Sequence, residues 1–231
     1  MTGTYDVATF DCYGTLIDWE AGAAQFLYAQ ALRNGDTNLP PGMELRARWE
    51  EVQFELLKRR YRPYSQVLAE SLEQICAERG WPYDDALGAE FVQSMRSWQP
   101  FPDTHPALSR ARAAGMRLVI MSNTDRDIVS HSIRHMRVPF DDAITAEDCQ
   151  IYKPDPDFFD QAIKRIGTEP SRILHVAFGF KYDHAAAREA GMSTAWVNRH
   201  AEPHPEGDRA EYVWRDLWGL AATADGQPIP A

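Results

Sequence analysis

Cysteine is scarce in this sequence. Cys12, Cys76 and Cys149 number three in all, too dispersed for a metal knuckle and too few for a disulfide framework. That scarcity fits a reducing compartment. Basic charge is also short, since 24 Lys and Arg against 34 Asp and Glu leave a net charge of −10. Nucleic acids and anionic membranes reward a basic face, so neither is expected as a partner. No apolar run approaches the length of a membrane span. The N-terminus has no basic segment followed by an apolar one, so no secretory signal is expected. Together these absences point to a cytoplasmic protein. No repeat or low-complexity stretch stands out in the 231 residues, which suffice for one large domain or two smaller ones.

What is present is a set of short apolar runs. Val7–Phe10, Leu118–Met121, Ile173–Ala177 and Thr194–Val197 read as buried strands. Helical patterns lie between them. Asp155-Pro156 reads as an N-cap with a first-turn proline, ahead of Phe158, Phe159, Ala162, Ile163 and Ile166. Gly167 would end that helix, and Gly191 would close another over Asp183–Ala190. Strands alternating with helices predict an α/β fold, a doubly wound parallel sheet. After the first strand the texture changes. Leu45, Trp49, Val52 and Leu56 keep helical spacing, as do Tyr64, Leu68, Leu72 and Ile75, with Ala23, Phe26 and Leu27 marking a third helix. The prolines around Phe101 mark the return to the core. The organisation predicted is a core of residues 1–16 and 99–231 with an inserted all-helical cap over 17–98. The tail from Ala221 to Ala231 is expected to be loose.

Polar residues stand at the ends of these elements. Asp11 closes the first strand and enters a turn with Gly14 and Thr15. Ser122-Asn123 closes "RLVIMSN", Lys153 sits in "IYKPDPDFF", and Asp183 follows another strand. In a parallel sheet such ends share one edge, so the four should converge. Here the chain resembles the haloacid dehalogenase superfamily, and within it the L-2-haloacid dehalogenases. The matching pieces are "FDCYGTLID" at 10–18, "LVIMSNTD" at 118–125, "YKPDP" at 152–156 and "HVAFGFKYDHAAAREAGM" at 175–192.

The resemblance implies a Rossmann-like core, an aspartate nucleophile and no cofactor or metal. Phosphatases of the superfamily carry a second aspartate two residues after the nucleophile, to protonate a leaving oxygen. Here that position is Tyr13, and Ala177-Phe178-Gly179 stands where phosphatases read Gly-Asp-Ser. Halide leaves as a stable anion and needs no proton, so losing both acids makes chemical sense. Asp11 is then the nucleophile, Lys153 its ionising partner, and Asp183 the group that orients or deprotonates water. Tyr13, Thr15, Ser122 and Asn123 are the candidate contacts to the substrate or nucleophile, and His184 is a second candidate water activator. The substrate class implied is a small 2-haloacid such as L-2-chloropropionate or a haloacetate, turned into a hydroxyacid with inversion. Relatives of this kind are often dimers, so a homodimer is the assembly implied.

The pattern has departures. Family members place an arginine in the first long cap helix to receive halide, and alignment puts Glu50 there. Arg59, Arg60 and Arg62 are the nearby candidates to replace it. The loop from Val176 to Asp183 is one residue longer than in those members, with Gly179 where they carry asparagine. Blander readings stand beside these. Ser122-Asn123 could cap the helix from Asp125 onward, and Asp183 could cap its own. His131 and His135 share a helical face and read as solvated in the absence of a third ligand. Trp49, Tyr64, Trp98 and Phe180 are core by default and pocket walls otherwise, and Cys12 reads as core. Two other functions remain open at this point: a phosphatase of the same superfamily, told apart by magnesium dependence, and a non-catalytic binder of a small acid or a protein.

Overall fold

The computed structural model describes residues 4–36, 42–205 and 210–226. The chain opens with β1 (Val7–Phe10), then enters four successive helices: α1 (Trp19–Arg33), α2 (Gly42–Leu57), α3 (Tyr64–Arg79) and α4 (Asp85–Met95). It returns through α5 (Thr104–Ala113), β2 (Arg117–Ser122), α6 (Arg126–Met136), β3 (Asp142–Thr145), α7 (Ala146–Cys149) and α8 (Pro156–Ile166). The last part is β4 (Ile173–Ala177), a π-helical turn at Phe180–His184, α9 (Ala185–Glu189), β5 (Ser193–Val197), β6 (Tyr212–Trp214) and α10 (Trp218–Ala224). The N-terminal stretch of the expected loose tail is thus helical, and its residues 227–231 lie outside those described.

Among the described residues the sheet runs β3-β2-β1-β4-β5-β6, and every pairing is parallel. This is the doubly wound layer that the alternation predicted. β1 is buried along its whole length because a central parallel strand is covered on both faces. The order of connection reverses between β1 and β4, and crevices at such reversals are where open α/β sheets bind ligands. Register sets the floor of that crevice. Phe10 pairs with both Ile120 and Val176, so the residues after these strands emerge together on the carboxyl edge.

The helical insert is the cap. α1 packs on α2 and α4, while α3 packs on α2 and α4, closing the bundle. Its two connections run side by side: Ile17 bridges to Pro100, and the Asp18 amide donates to the Gln99 carbonyl at 2.9 Å. The cap is seated on the core by several contacts. Asp125, at the start of α6, makes no capping bond to its own helix. Its carboxylate instead accepts the amides of Tyr64 and Ser65, at 2.7 and 2.8 Å, at the N-terminus of α3. That satisfies two of the unpaired donors every helix start carries. Tyr152 donates to the Arg62 carbonyl at 2.7 Å, and Arg96 pairs with Asp127 at 2.6 Å on the opposite side.

Candidate active site

Asp11 leaves β1 and the chain turns at once. Gly14 makes that turn with φ +98°, and a Cβ there would lie 2.7 Å from the Phe178 ring and 2.9 Å from the Trp19 indole nitrogen. Only glycine fits both the dihedral and the space. The turn is sewn to the next one. Thr15 donates its hydroxyl to Asp11 Oδ2 at 2.9 Å and accepts the Phe178 amide at 2.9 Å. Arg199 donates to the Thr15 carbonyl, pairs with Asp103 and stacks 3.8 Å from the Phe101 ring centre.

Lys153 is buried and lies between two carboxylates. Its Nζ donates to Asp11 Oδ1 at 3.2 Å and to Asp183 Oδ1 at 2.6 Å. The loop carrying it is fixed by Asn123, whose side-chain amide accepts the Lys153 N–H at 2.7 Å and donates to its carbonyl at 2.9 Å. Asp183 Oδ1 also accepts from His175 Nε2 at 2.9 Å, and His175 Nδ1 shares a 2.8 Å hydrogen bond with Thr9. The buried row therefore runs Thr9, His175, Asp183, Lys153, Asp11.

This row splits the two acids. Burial alone would raise Asp183, but Lys153 and His175 outweigh it and hold the carboxyl at about 2. Asp11 goes the other way. Burial pushes it above the ordinary value, and neither Lys153, at the longer distance, nor Thr15 cancels that push, while the neighbouring Asp183 charge adds to it. The pairing expected between Asp11 and Lys153 is present, but the net lowering expected from it is not. Lys153 itself is raised: burial opposes its charge, and the two carboxylates win.

Asp11, Tyr13, Ser122, Asn123, Lys153 and Asp183 all line one cavity of about 540 Å³ between cap and core. Trp49, Tyr64, Trp98 and Phe180 line it too. The Tyr13 hydroxyl is hydrogen-bonded to Ser132 at 2.9 Å and Ser122 to Thr124 at 3.1 Å. Thr15 touches the nucleophile from behind and is not in the wall. Cys12 is buried in the core.

Several candidates lie elsewhere. Arg59 and Arg62 both pair with Glu70, and Arg60 is exposed, so α2 and the turn after it bring none of the three to the cavity. Glu50 does line it and shares one cation with a second carboxylate: Arg46 reaches Glu50 at 2.8 Å and Glu20 of α1 at 3.2 Å. His184 donates to the Ala177 carbonyl at 3.1 Å, with its ring 4.4 Å from that of Phe180, outside the cavity wall. Asp183 lies inside the π-helical turn and caps nothing. Phe180–His184 forms a π-helical turn, which closes over one more residue than an α turn. His131 donates to the Asp127 carbonyl and His135 to that of Arg96.

The family model of haloacid dehalogenase-like hydrolases matches residues 5–191. The chain belongs to that family. The hydrolase is 29% identical over 218 residues to an (S)-2-haloacid dehalogenase of Pseudomonas fluorescens, covering 91% of this chain and 92% of that one. It is 24% identical over 204 residues to haloacetate dehalogenase H-2 of a Moraxella strain, covering 84% and 86%. In fold it is similar to the L-2-haloacid dehalogenase of Xanthobacter autotrophicus, with a TM-score of 0.84, 21% identity, and 97% and 100% of the chains covered.

Sequence reasoning missed His175, Arg46 and Arg199 in this hydrolase. His175 reads as one more residue of the apolar run "ILHVA". Arg46 could have been found, since it precedes Glu50 by one helical turn. Arg199 follows β5 at the same edge as the other strand ends.

Proposed function

We propose that this hydrolase cleaves the carbon–halogen bond of 2-haloacids through an ester of Asp11. The observation that carries the reading is a raised, partly buried carboxylate at the switch point, flanked by Lys153 and Thr15, with Tyr13 where a phosphatase needs an acid. The dehalogenase names of its relatives support it.

An oxygen of Asp11 attacks the halogen-bearing carbon from the side opposite the halogen. The new C–O bond forms as the carbon–halogen bond breaks, and the halide leaves with the bonding pair. The carbon inverts, so an L substrate gives a D hydroxyacid. A raised basicity makes Asp11 the stronger nucleophile, and Lys153 keeps enough of it ionised. Water then adds to the carboxyl carbon of Asp11, and the bond from that carbon to the product oxygen breaks. The product keeps an oxygen from Asp11 and takes one proton of the water. The other proton is released, and the water's oxygen stays in the restored carboxylate.

Asp183 is too acidic at about 2 to hold that proton for long. With Oδ1 bound to Lys153 and His175, it orients the water through Oδ2, which faces Gly179. Tyr13, Ser122 and the amides of Cys12 and Tyr13 are the groups from which a substrate carboxylate takes hydrogen bonds, since the Asp11 and Gly14 amides already donate to Val176 and Ile17. Asn123 acts one step back, by holding Lys153. The step needs no acid to protonate the leaving group, because halide leaves as a stable anion.

The test is chloride release from L-2-chloropropionate in excess chelator. Asp11→Asn should lose it by about the 10⁴-fold or more expected of a missing nucleophile. A single turnover in heavy-oxygen water should put label into Asp11 and not into the product. Label in the product alone would mean that water attacks the haloacid directly. Magnesium-dependent phosphate release with no chloride would instead make the protein a phosphatase.

A further inference from the structure

The cavity is large for the haloacids that relatives are named after. At about 540 Å³ it falls in the range, roughly 300–1,000 Å³, of pockets that bury ligands of drug size. A raised cap is not the cause. The Asp125, Tyr152 and Arg96 contacts hold the cap on the core, and Phe54 of α2 packs edge-on against Tyr182 at 5.3 Å. With the cap seated, a two- or three-carbon acid would leave most of the space to water. Water in that space weakens the ion pairs beneath it and reaches the ester before it is oriented.

The walls fit an apolar guest. Trp49, Leu57 and Met95 approach from the cap, and Phe178, Tyr182 and Trp196 from the core. Aromatic side chains on facing walls favour a ring between them, by edge and offset-stacked contacts. Polar side chains share the wall: Gln53, Glu202, Glu50, which is tied to Arg46, and Lys181, which sits 5.1 Å over the Phe54 ring.

Gly179 points the same way. Its backbone has φ −90° and ψ 109°, which any residue adopts, so no turn demands glycine there. A Cβ would meet only the Tyr182 ring at 3.4 Å and Asp183 Oδ2 at 3.8 Å, ordinary contacts. What glycine supplies is room beside Tyr182 and Asp183. We propose that the substrate is a 2-halo-3-arylpropionate, with its aryl ring held between the cap and core aromatic walls and Gly179 leaving room beside Tyr182 and Asp183. This inference rests on the dehalogenation proposed above.

The experiment compares chloride release from (S)-2-chloropropionate and (S)-2-chloro-3-phenylpropionate, using the whole protein and its Gly179→Ala and Gly179→Val variants. Thermal melts show which variants fold. The binding of 3-phenylpropionate and of propionate to Asp11→Asn is followed in parallel by quenching of tryptophan fluorescence. The phenyl acid should have a kcat/KM at least about tenfold higher, the low end for apolar groups filling a pocket. Gly179→Val, and less strongly Gly179→Ala, should shrink that ratio. Chloride release from both acids at similar rates, or faster from the short one, overturns the aryl assignment and leaves dehalogenation standing. No chloride from either, with 3-phenylpropionate still binding at least about tenfold tighter than propionate, overturns dehalogenation and keeps the aryl site. Equal binding and no chloride overturn both.

Discussion

At the scale of residues, the site is an unequal division of charge. Lys153 lies closer to Asp183 than to Asp11, and His175 adds a second donor to Asp183. Asp183 therefore stays ionised and Asp11 carries the burden of burial. Attack requires the Asp11 anion, so kcat/KM should fall on the acid side at a pH above the ordinary carboxylate value of 3.8. In Lys153→Met any surviving activity should have that limb moved higher still, because the one lowering charge is gone. A pH–rate profile with its acid limb at or below 3.8 would contradict the division. Asp183 contributes to stability in the opposite sense. Its folded value of about 2 lies below 3.8, so that contribution is full above 3.8 and is lost as pH falls towards 2. His175→Phe keeps the ring but leaves Thr9 and Asp183 short of a partner. It should cost about 1–3 kcal/mol in urea unfolding, with His175→Gln recovering part of the loss. Asp11, Lys153 and Asp183 could be nominated from sequence because Asp11 follows a recognisable strand, Lys153 precedes a capped helix and Asp183 follows the run "ILHVA". His175 could not, because a strand buried on both faces conceals a polar residue among apolar ones.

At the scale of elements, the turns matter more than the strands and helices they join. Gly14→Ala faces both a positive φ and a Cβ 2.7 Å from the Phe178 ring. It should cost on the order of 1–3 kcal/mol in stability and lower activity as well, since Phe178 forms part of the cavity wall. Normal melting and turnover in that variant would show that the turn has slack. The sequence was clear where local chemistry is strong. Asp155, Pro156 and Gly167 start and stop α8 as read, with Gly167 left-handed at φ 66°. β3 and β6 escaped because Asp142–Thr145 and Tyr212–Trp214 are too short and too mixed to show a period. α4 escaped because its cap, Asp84, opens a weakly patterned stretch. The extra residue after Val176 was visible as a count, but a count does not say where a backbone bulges. The structure shows a π-helical turn over Phe180–His184, with Asp183 inside it.

At the scale of the molecule, the cap and core act as one walled chamber. Asp125→Ala removes both acceptors at the start of α3. It should weaken the cap by about 0.5–2 kcal/mol, the usual value of a lost helix cap. Hydrogen exchange at the Tyr64 and Ser65 amides should quicken while amides of β1 and β4 hold, and KM should rise. Uniform exchange across both parts would mean that the cap and core open together. The insert itself was legible as a change of period after β1. Its seating was not, because Asp125 looks like a cap for the helix it precedes.

The Asp125 contact has an evolutionary consequence. It grips the cap by main-chain amides, which every residue except proline possesses. Side chains at the start of α3 are therefore free to drift without losing this contact. Such a chamber can exchange one furnishing for another, an arginine for a glutamate or an asparagine for a glycine, while the door stays hung on the same hinge.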